Sequence, residues 1–337
     1  MSLKLVQLFL VLKGLSFCVT PKCVGQAQFK LSWPTPNPAF VSGLGFSSFL
    51  QKTGPDKDFS SGAFGCVRNN GYKFHEGIDL FPIKREKNGE PSDSVFSAMS
   101  GTVVYINHKS SESSYGKYLV LEHPDHSPSL YSLYAHLNTF RDDLCVGSKV
   151  EVAEVLGKMG NSSSFKIPQS RAHLHFEIGF RLSQEFDTWY NRKSFKTPNK
   201  HGNYNGFNLV GIDPLPFFKH YQTGKMTTPE DFIKQLPEIV KLRVMSNSPP
   251  SILKLNPSLC TTNIIDQQTQ SWICSFGPYG IPLSFTPSNE QFSDKLKIIS
   301  FNEKHQQQNC RKLVENKGNS IIPAEQLLSY LEILFAK

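Results

Sequence analysis

The sequence has no apolar run long enough to cross a bilayer. Residues 5–12 (LVQLFLVL) come nearest and fall far short of the ~20 residues that a spanning helix needs. Cysteine is dilute, with 7 in 337 residues and no Cys-x-x-Cys spacing. That excludes a disulfide scaffold and a Cys-based metal site. Charged residues are scarce at 19%, and the 22 Pro and 23 Gly argue against a coiled coil or helical solenoid. An apolar share of 39% with 26 Phe excludes a disordered chain. The net charge of +8 is not gathered into a stripe, and no nucleic-acid motif is present. There is no Gly-x-Ser-x-Gly elbow, no Gly-rich phosphate loop and no internal repeat. Acid pairs such as Asp142-Asp143 are ordinary loop acids and give no glycosidase signal.

What is present begins with a leader. Lys4, the apolar run and the closing Gly25-Gln26-Ala27 read as a secretory signal peptide over residues 1–27. Its removal leaves 310 residues, a net charge of +5 and five Cys: Cys66, Cys145, Cys260, Cys274 and Cys310. The expected localisation is therefore the periplasm or the exterior. Five Cys in an oxidising compartment allow at most two disulfides, with pairing unassigned.

Residues 28–62, rich in Pro, Gly, Ser and Phe, suggest an extended lead-in that wraps a core. A first domain is expected over 63–225, and from about 63 to 180 short apolar runs alternate with turn residues. Residues 101–106 (GTVVYI), 117–122 (KYLVLE), 129–134 (SLYSLY), 149–155 and 172–178 (AHLHFEI) predict strands of an antiparallel sheet. Thr228-Pro229-Glu230-Asp231 reads as a helix start, with the helix expected to reach about Leu242 and a linker at 246–250. Residues 251–337 are expected to form a small α+β appendage of open role. Its strands are expected at 251–255, 271–276 and 295–301, and its terminal helix at 323–335.

Three histidine groups carry the chemistry. His75-Glu76-Gly77-Ile78-Asp79 sets a His and an Asp four apart around a Gly that permits a bend. The second group is Tyr134-Ala135-His136-Leu137. The third is His173-Leu174-His175-Phe176-Glu177, where a period of two puts both histidines on one face and Leu174 and Phe176 on the core face. Each group alone is commonly structural. Together in one β region they point to a metal site, since two His and one Asp make a zinc triad with an open fourth position.

The ordered set resembles the lysostaphin/LytM-type zinc metallopeptidases. Further motifs fall in the same order: Val95-Phe96-Ser97-Ala98, Gly101-Thr102-Val103-Val104, Tyr115-Gly116-Lys117-Tyr118-Leu119-Val120, Val146-Gly147-Ser148-Lys149-Val150 and Leu156-Gly157. The resemblance covers about residues 60–180. It implies a mainly β fold, an antiparallel core of the duplicated-hybrid-motif type, whose groove holds one zinc. It also implies endopeptidase activity on the peptide part of peptidoglycan. Carried over, the ligands are His75, Asp79 and His175, and the catalytic histidines are His136 and His173. The partner implied is a peptidoglycan peptide, with no nucleic acid and no stable membrane span. The alternative is a catalytically silent wall-binding or hydrolase-activating module.

Two departures stand out. Residues 160–172 (GNSSSFKIPQSRA) replace a Gly/Thr-rich stretch ending in Gly-Pro, which bears on cleavage specificity, and residues 84–94 read as a hydrophilic insertion. Glu76 is expected to point away from the metal. Tyr72 is a candidate to polarise a substrate carbonyl, with packing as the alternative.

Overall fold

The computed structural model describes residues 28–53, 58–263, 268–306, 310–318 and 320–336. The expected leader, residues 1–27, lies outside the described residues. No helix among them is long and apolar enough to cross a membrane.

The first strands are β1 (Gly65–Arg68) and β2 (Lys73–His75), an antiparallel hairpin. Its turn places Asn69, Asn70 and Gly71 at positive φ, which these residue types tolerate. Next come β3 (Ile78–Leu80), β4 (Ser94–Phe96), β5 (Gly101–Asn107) and β6 (Tyr118–His123). The series continues with β7 (Leu130–Ala135), β8 (Leu137–Phe140), β9 (Lys149–Val150), β10 (Val155–Met159) and β11 (Leu174–Arg181). After helix α1 (Phe186–Arg192), strand β12 (Leu209–Ile212) returns to the sheet.

The main sheet runs β12-β11-β7-β6-β5-β9, with β3 also on β11, and a second sheet runs β4-β10-β8. Every pairing among these strands is antiparallel, so the architecture is mainly β, as the short apolar runs predict. β3 pairs with residues 174–176 and β12 with residues 178–181, so the two follow one another along a single edge of β11. β11 is buried along its whole length, and Leu174, Phe176, Ile178 and Phe180 turn to the main core. The lead-in adds Trp33, Phe49 and Leu50 to that core, with Trp33 stacked on Phe40 at 4.4 Å.

Beyond β12 come α2 (Pro214–Gln222), capped by Asp213, and α3 (Pro229–Ile233), with a Thr228/Asp231 capping box. The remaining elements are β13 (Val240–Met245), β14 (Ser271–Phe276), β15 (Pro282–Ser288), β16 (Leu296–Phe301), β17 (Val314–Lys317), β18 (Ser320–Pro323) and α4 (Glu325–Leu334). They form a sheet of order β15-β14-β13-β16, a β17–β18 hairpin and a closing helix. Buried apolar side chains from Phe29 to Leu334 make one continuous cluster. Cys66 and Cys310 are disulfide-bonded across 244 residues, while Cys145, Cys260 and Cys274 are free.

Three local expectations are corrected. The helix begun at Thr228 stops at Ile233, short of Leu242. Pro237 lacks the N–H that a helix needs, and Val240, Leu242 and Val244 then alternate inward at period two. The segment 226–250, expected as helix and linker, thus contains an inner strand of the second unit. The expected strand at 251–255 is instead a 3-10 turn, entered from Pro249-Pro250. The expected strand at 149–155 is split into β9 and β10, with Ala153 at φ 64 in the turn between them.

Candidate metal centre and its groove

Sheet register assembles the site. His175 on β11 stands opposite Asp79 on β3, and directly paired residues of antiparallel strands project from the same face. His75 ends β2, and the chain crosses to β3 through Gly77. A Cβ on Gly77 would lie 2.2 Å from the Phe176 carbonyl oxygen, so only glycine allows this approach. Donor atoms of His75, Asp79 and His175 all lie within 4.8 Å of one another, and all three residues are buried. His75 Nε2 is 3.0 Å from His175 Nδ1 and 3.1 Å from Asp79 Oδ1, while His175 Nδ1 is 2.9 Å from the same oxygen.

Tautomers follow from the outer partners. His75 Nδ1–H donates to the Ala63 carbonyl at 2.7 Å, which leaves Nε2 directed at the cluster. His175 Nε2–H donates to Glu177 Oε1 at 2.9 Å, which leaves Nδ1 inward. Glu177 also accepts from Tyr115 Oη at 2.5 Å and from Tyr131 Oη at 2.8 Å, so both its buried oxygens are satisfied. Arg68 Nη2 donates to Asp79 Oδ2 at 2.5 Å and orients that carboxylate, while its Nε donates to the Ser61 carbonyl.

Two nitrogens and one carboxylate oxygen, each oriented by an outer partner, are the donor set that zinc prefers. Two ligands about 2.0–2.1 Å from a tetrahedral centre sit about 3.3 Å apart. The observed 2.9–3.1 Å separations need only a small opening to meet that spacing.

His136 and His173 stand beside the cluster with ring centroids 4.7 Å apart. His136 occupies the left-handed region, at φ 61, between β7 and β8. Its Nδ1–H donates to the Ser162 carbonyl at 2.8 Å, and His173 Nδ1–H donates to the Arg171 carbonyl at 2.8 Å. His173 Nε2 is 3.6 Å from Asp79 Oδ1. The five residues singled out in the sequence therefore come together. They line one groove of about 460 Å³, walled by the hairpin, Tyr115 and the loop at 165–171.

Electrostatics separate the histidines. Burial lowers the pKa of His75 and His173, and it takes His136 well below the ordinary value with help from the nearby His173 and His175. Burial acts the same way on His175, but hydrogen bonds to Asp79 and Glu177 outweigh it and raise the pKa to about 9. Burial alone would raise the Asp79 pKa. The charges of His75, His173 and Arg68 and the His175 hydrogen bond instead hold it well below the usual carboxylate range.

Glu177 and Arg68 had no assigned role in the sequence reading. Glu177 was signalled by its place two residues after His175 on the same strand face, whereas nothing local marks Arg68. Glu76 does turn its carboxylate to Arg311 at 3.2 Å rather than to the cluster. Tyr72 is 71% exposed in the hairpin turn and does not line the groove, so it neither packs nor faces the site.

Residues 73–187 match the model of peptidase family M23. Among solved structures, the catalytic domain of the prophage-encoded M23 protein EnpA from Enterococcus faecalis is similar at 19% identity. It covers 39% of this chain and 80% of its own, with a TM-score of 0.28. The catalytic domain of the antimicrobial peptidase lysostaphin from Staphylococcus simulans is 18% identical over 52% of this chain and 95% of its own, with a TM-score of 0.31. A chain of the SpoIIQ–SpoIIIAH pore-forming complex is 24% identical over 57% and 92%, also at 0.31. Comparison with curated proteins finds no match. The part of the chain that matches peptidase family M23, residues 73–187, is about a third of its length.

Proposed function

We propose that the protein is a zinc-dependent endopeptidase that hydrolyses amide bonds in peptidoglycan cross-links or stem peptides, acting in the cell envelope after loss of residues 1–27. The observation that carries this reading is the His75, Asp79 and His175 cluster, with His136 and His173 beside it in one groove. Zinc held by His75 Nε2, Asp79 Oδ1 and His175 Nδ1 would supply a Lewis acid and a water with a pKa of about 7.

The chain's own groups supply the rest. His136 and His173 are kept neutral by burial, and each spends its Nδ1–H on a backbone carbonyl. Each therefore presents Nε2 with its lone pair. A nitrogen of that kind accepts the proton of an attacking water and returns it to a leaving amine. Once protonated, it also donates a hydrogen bond to an oxyanion. Glu177 and Arg68 hold the ligand side chains in place.

The test is zinc content and digestion of muropeptides by the protein and two variants. His175→Ala is expected to lose both metal and activity. His136→Ala is expected to keep its zinc while turnover falls about 10²–10⁴-fold. A zinc-loaded protein that leaves muropeptides unchanged would sink the catalytic reading in favour of a wall-binding module.

A further inference from the structure

The groove beside the cluster is lined by more basic than acidic side chains. Four cations line it: Arg68, Lys73, Lys166 and Arg171. Its two acids are already engaged, Asp79 by Arg68 and Glu76 by Arg311. Among the described residues, Lys73, Lys166 and Arg171 have no carboxylate within ion-pair distance. The histidines add no compensating charge, and a bound divalent cation would make the groove more positive still. The hollow on the far side of Tyr115, lined by Glu112, Tyr118, His201 and Tyr204, carries no cation. Two of the groove's unpaired cations, Lys166 and Arg171, sit in the loop where the sequence departs from its family, alongside Phe165, which is 58% exposed.

We propose that these unpaired cations read a free carboxylate on the substrate, so that the preferred substrate is an acidic peptide rather than a neutral one such as oligoglycine. This rests on the peptidase reading. A carboxylate flanking the scissile amide would be held by Lys73, Lys166 and Arg171, at the mouth of a groove with low-dielectric walls that focus their field. The partly exposed cations make the preference weaken with salt.

The experiment measures affinity of the zinc-loaded full chain for two fluorescent peptides. They are identical except that one ends in a free carboxylate and the other in a carboxamide. The free acid is expected to bind about tenfold tighter at low ionic strength and to approach the amide near 0.5 M salt, roughly where the Debye length falls to a few Å. The triple variant Lys73→Gln/Lys166→Gln/Arg171→Gln is expected to bind both peptides alike, with its zinc content unchanged. Equal affinities in the unaltered protein, or a preference that survives in the triple variant, would overturn the proposal. Affinity is read without turnover, so the result stands whether or not the bond is cut. Hydrolysis is scored separately, and its absence would count against the peptidase reading alone.

Discussion

The metal-site sheet and the C-terminal sheet bury their strands differently. β11 is enclosed on both faces, and one of those faces is polar, with His175 and Glu177 each hydrogen-bonded to further buried groups. In the C-terminal sheet β13 alternates buried and half-buried residues, and β16 leaves Lys297, Ile299 and Ser300 in solvent. Its interior is held by Trp272, Cys274, Phe276 and Phe285, and among the described residues it has no cluster of His and acids. A polar interior is tolerated where each group finds its partners. In the C-terminal sheet the buried polar side chains of β14 are two hydroxyls, Ser271 and Ser275, which donate to the Glu290 carbonyl and to Glu238.

The two regions meet at the β1–β2 hairpin, which pairs with neither sheet. Arg68 and His75 from this hairpin enter the site. Its other side is gripped by the C-terminal unit through Cys66–Cys310, the Arg311 guanidinium 4.4 Å over Phe74, and Tyr279 against Phe64 and Phe74. The largest test of the contrast is therefore Cys66→Ser/Cys310→Ser. Opening a cross-link of this span is expected to cost about 2–5 kcal/mol in denaturant unfolding. Zinc is expected to leave faster in chelator competition, because the hairpin that carries His75 is freed. A double variant that retains both stability and zinc would show that the C-terminal unit packs against the hairpin without holding it.

The next effect in size lies at the edge of the metal-site sheet. Asp213 follows β12 and caps α2 by accepting the Leu215 N–H at 3.0 Å, and burial pushes its pKa up to about 7. A raised carboxyl pKa favours the protonated form in the fold. The associated stability is complete below about pH 4 and is lost as pH rises through about 7. Asp213→Asn keeps a capping oxygen and removes the charge. The variant is expected to match the unaltered protein at pH 4 and to exceed it at pH 8 by at most about 4 kcal/mol in unfolding free energy, read from denaturant titrations at the two pH values. An equal difference at both pH values would mean that the cap, and not the buried charge, sets the balance.

Legibility differed between the two regions for the same reason. His173 and His175 stand two apart at the start of β11, where a period of two translates directly into a shared face. His75 and Asp79 were close enough in sequence to be paired, although they lie on two strands, β2 and β3, joined through Gly77. The mainly β architecture was readable from the same runs. Arg68 was not, because it reaches Asp79 only through the β1–β2 pairing and the crossing at Gly77, neither of which leaves a local pattern. Cys66 and Cys310 stand 244 residues apart, and spacing says nothing about a pair closed by tertiary packing. In the C-terminal unit a strong capping box at Thr228 suggested a long helix. Pro237 and the alternating Val240, Leu242 and Val244 overrode that start signal.

The smallest effect bears most directly on the contrast. Glu177 holds the His175 ring through Nε2 and is itself held by Tyr115 and Tyr131. Glu177→Gln preserves shape but removes the negative charge and puts an NH2 where one tyrosine hydroxyl must donate. Losing such an outer partner weakens metal affinity by about 10–100-fold. Competition with a chelator of known affinity is expected to place Glu177→Gln in that range, with β-sheet circular dichroism unchanged. The same change at Glu315, exposed on β17, is expected to alter neither reading. If Glu177→Gln bound zinc as tightly as the unaltered protein, the polar face of β11 would be a packing device like the apolar one in the C-terminal sheet. The distinction between the two regions would then reduce to which side chains fill them.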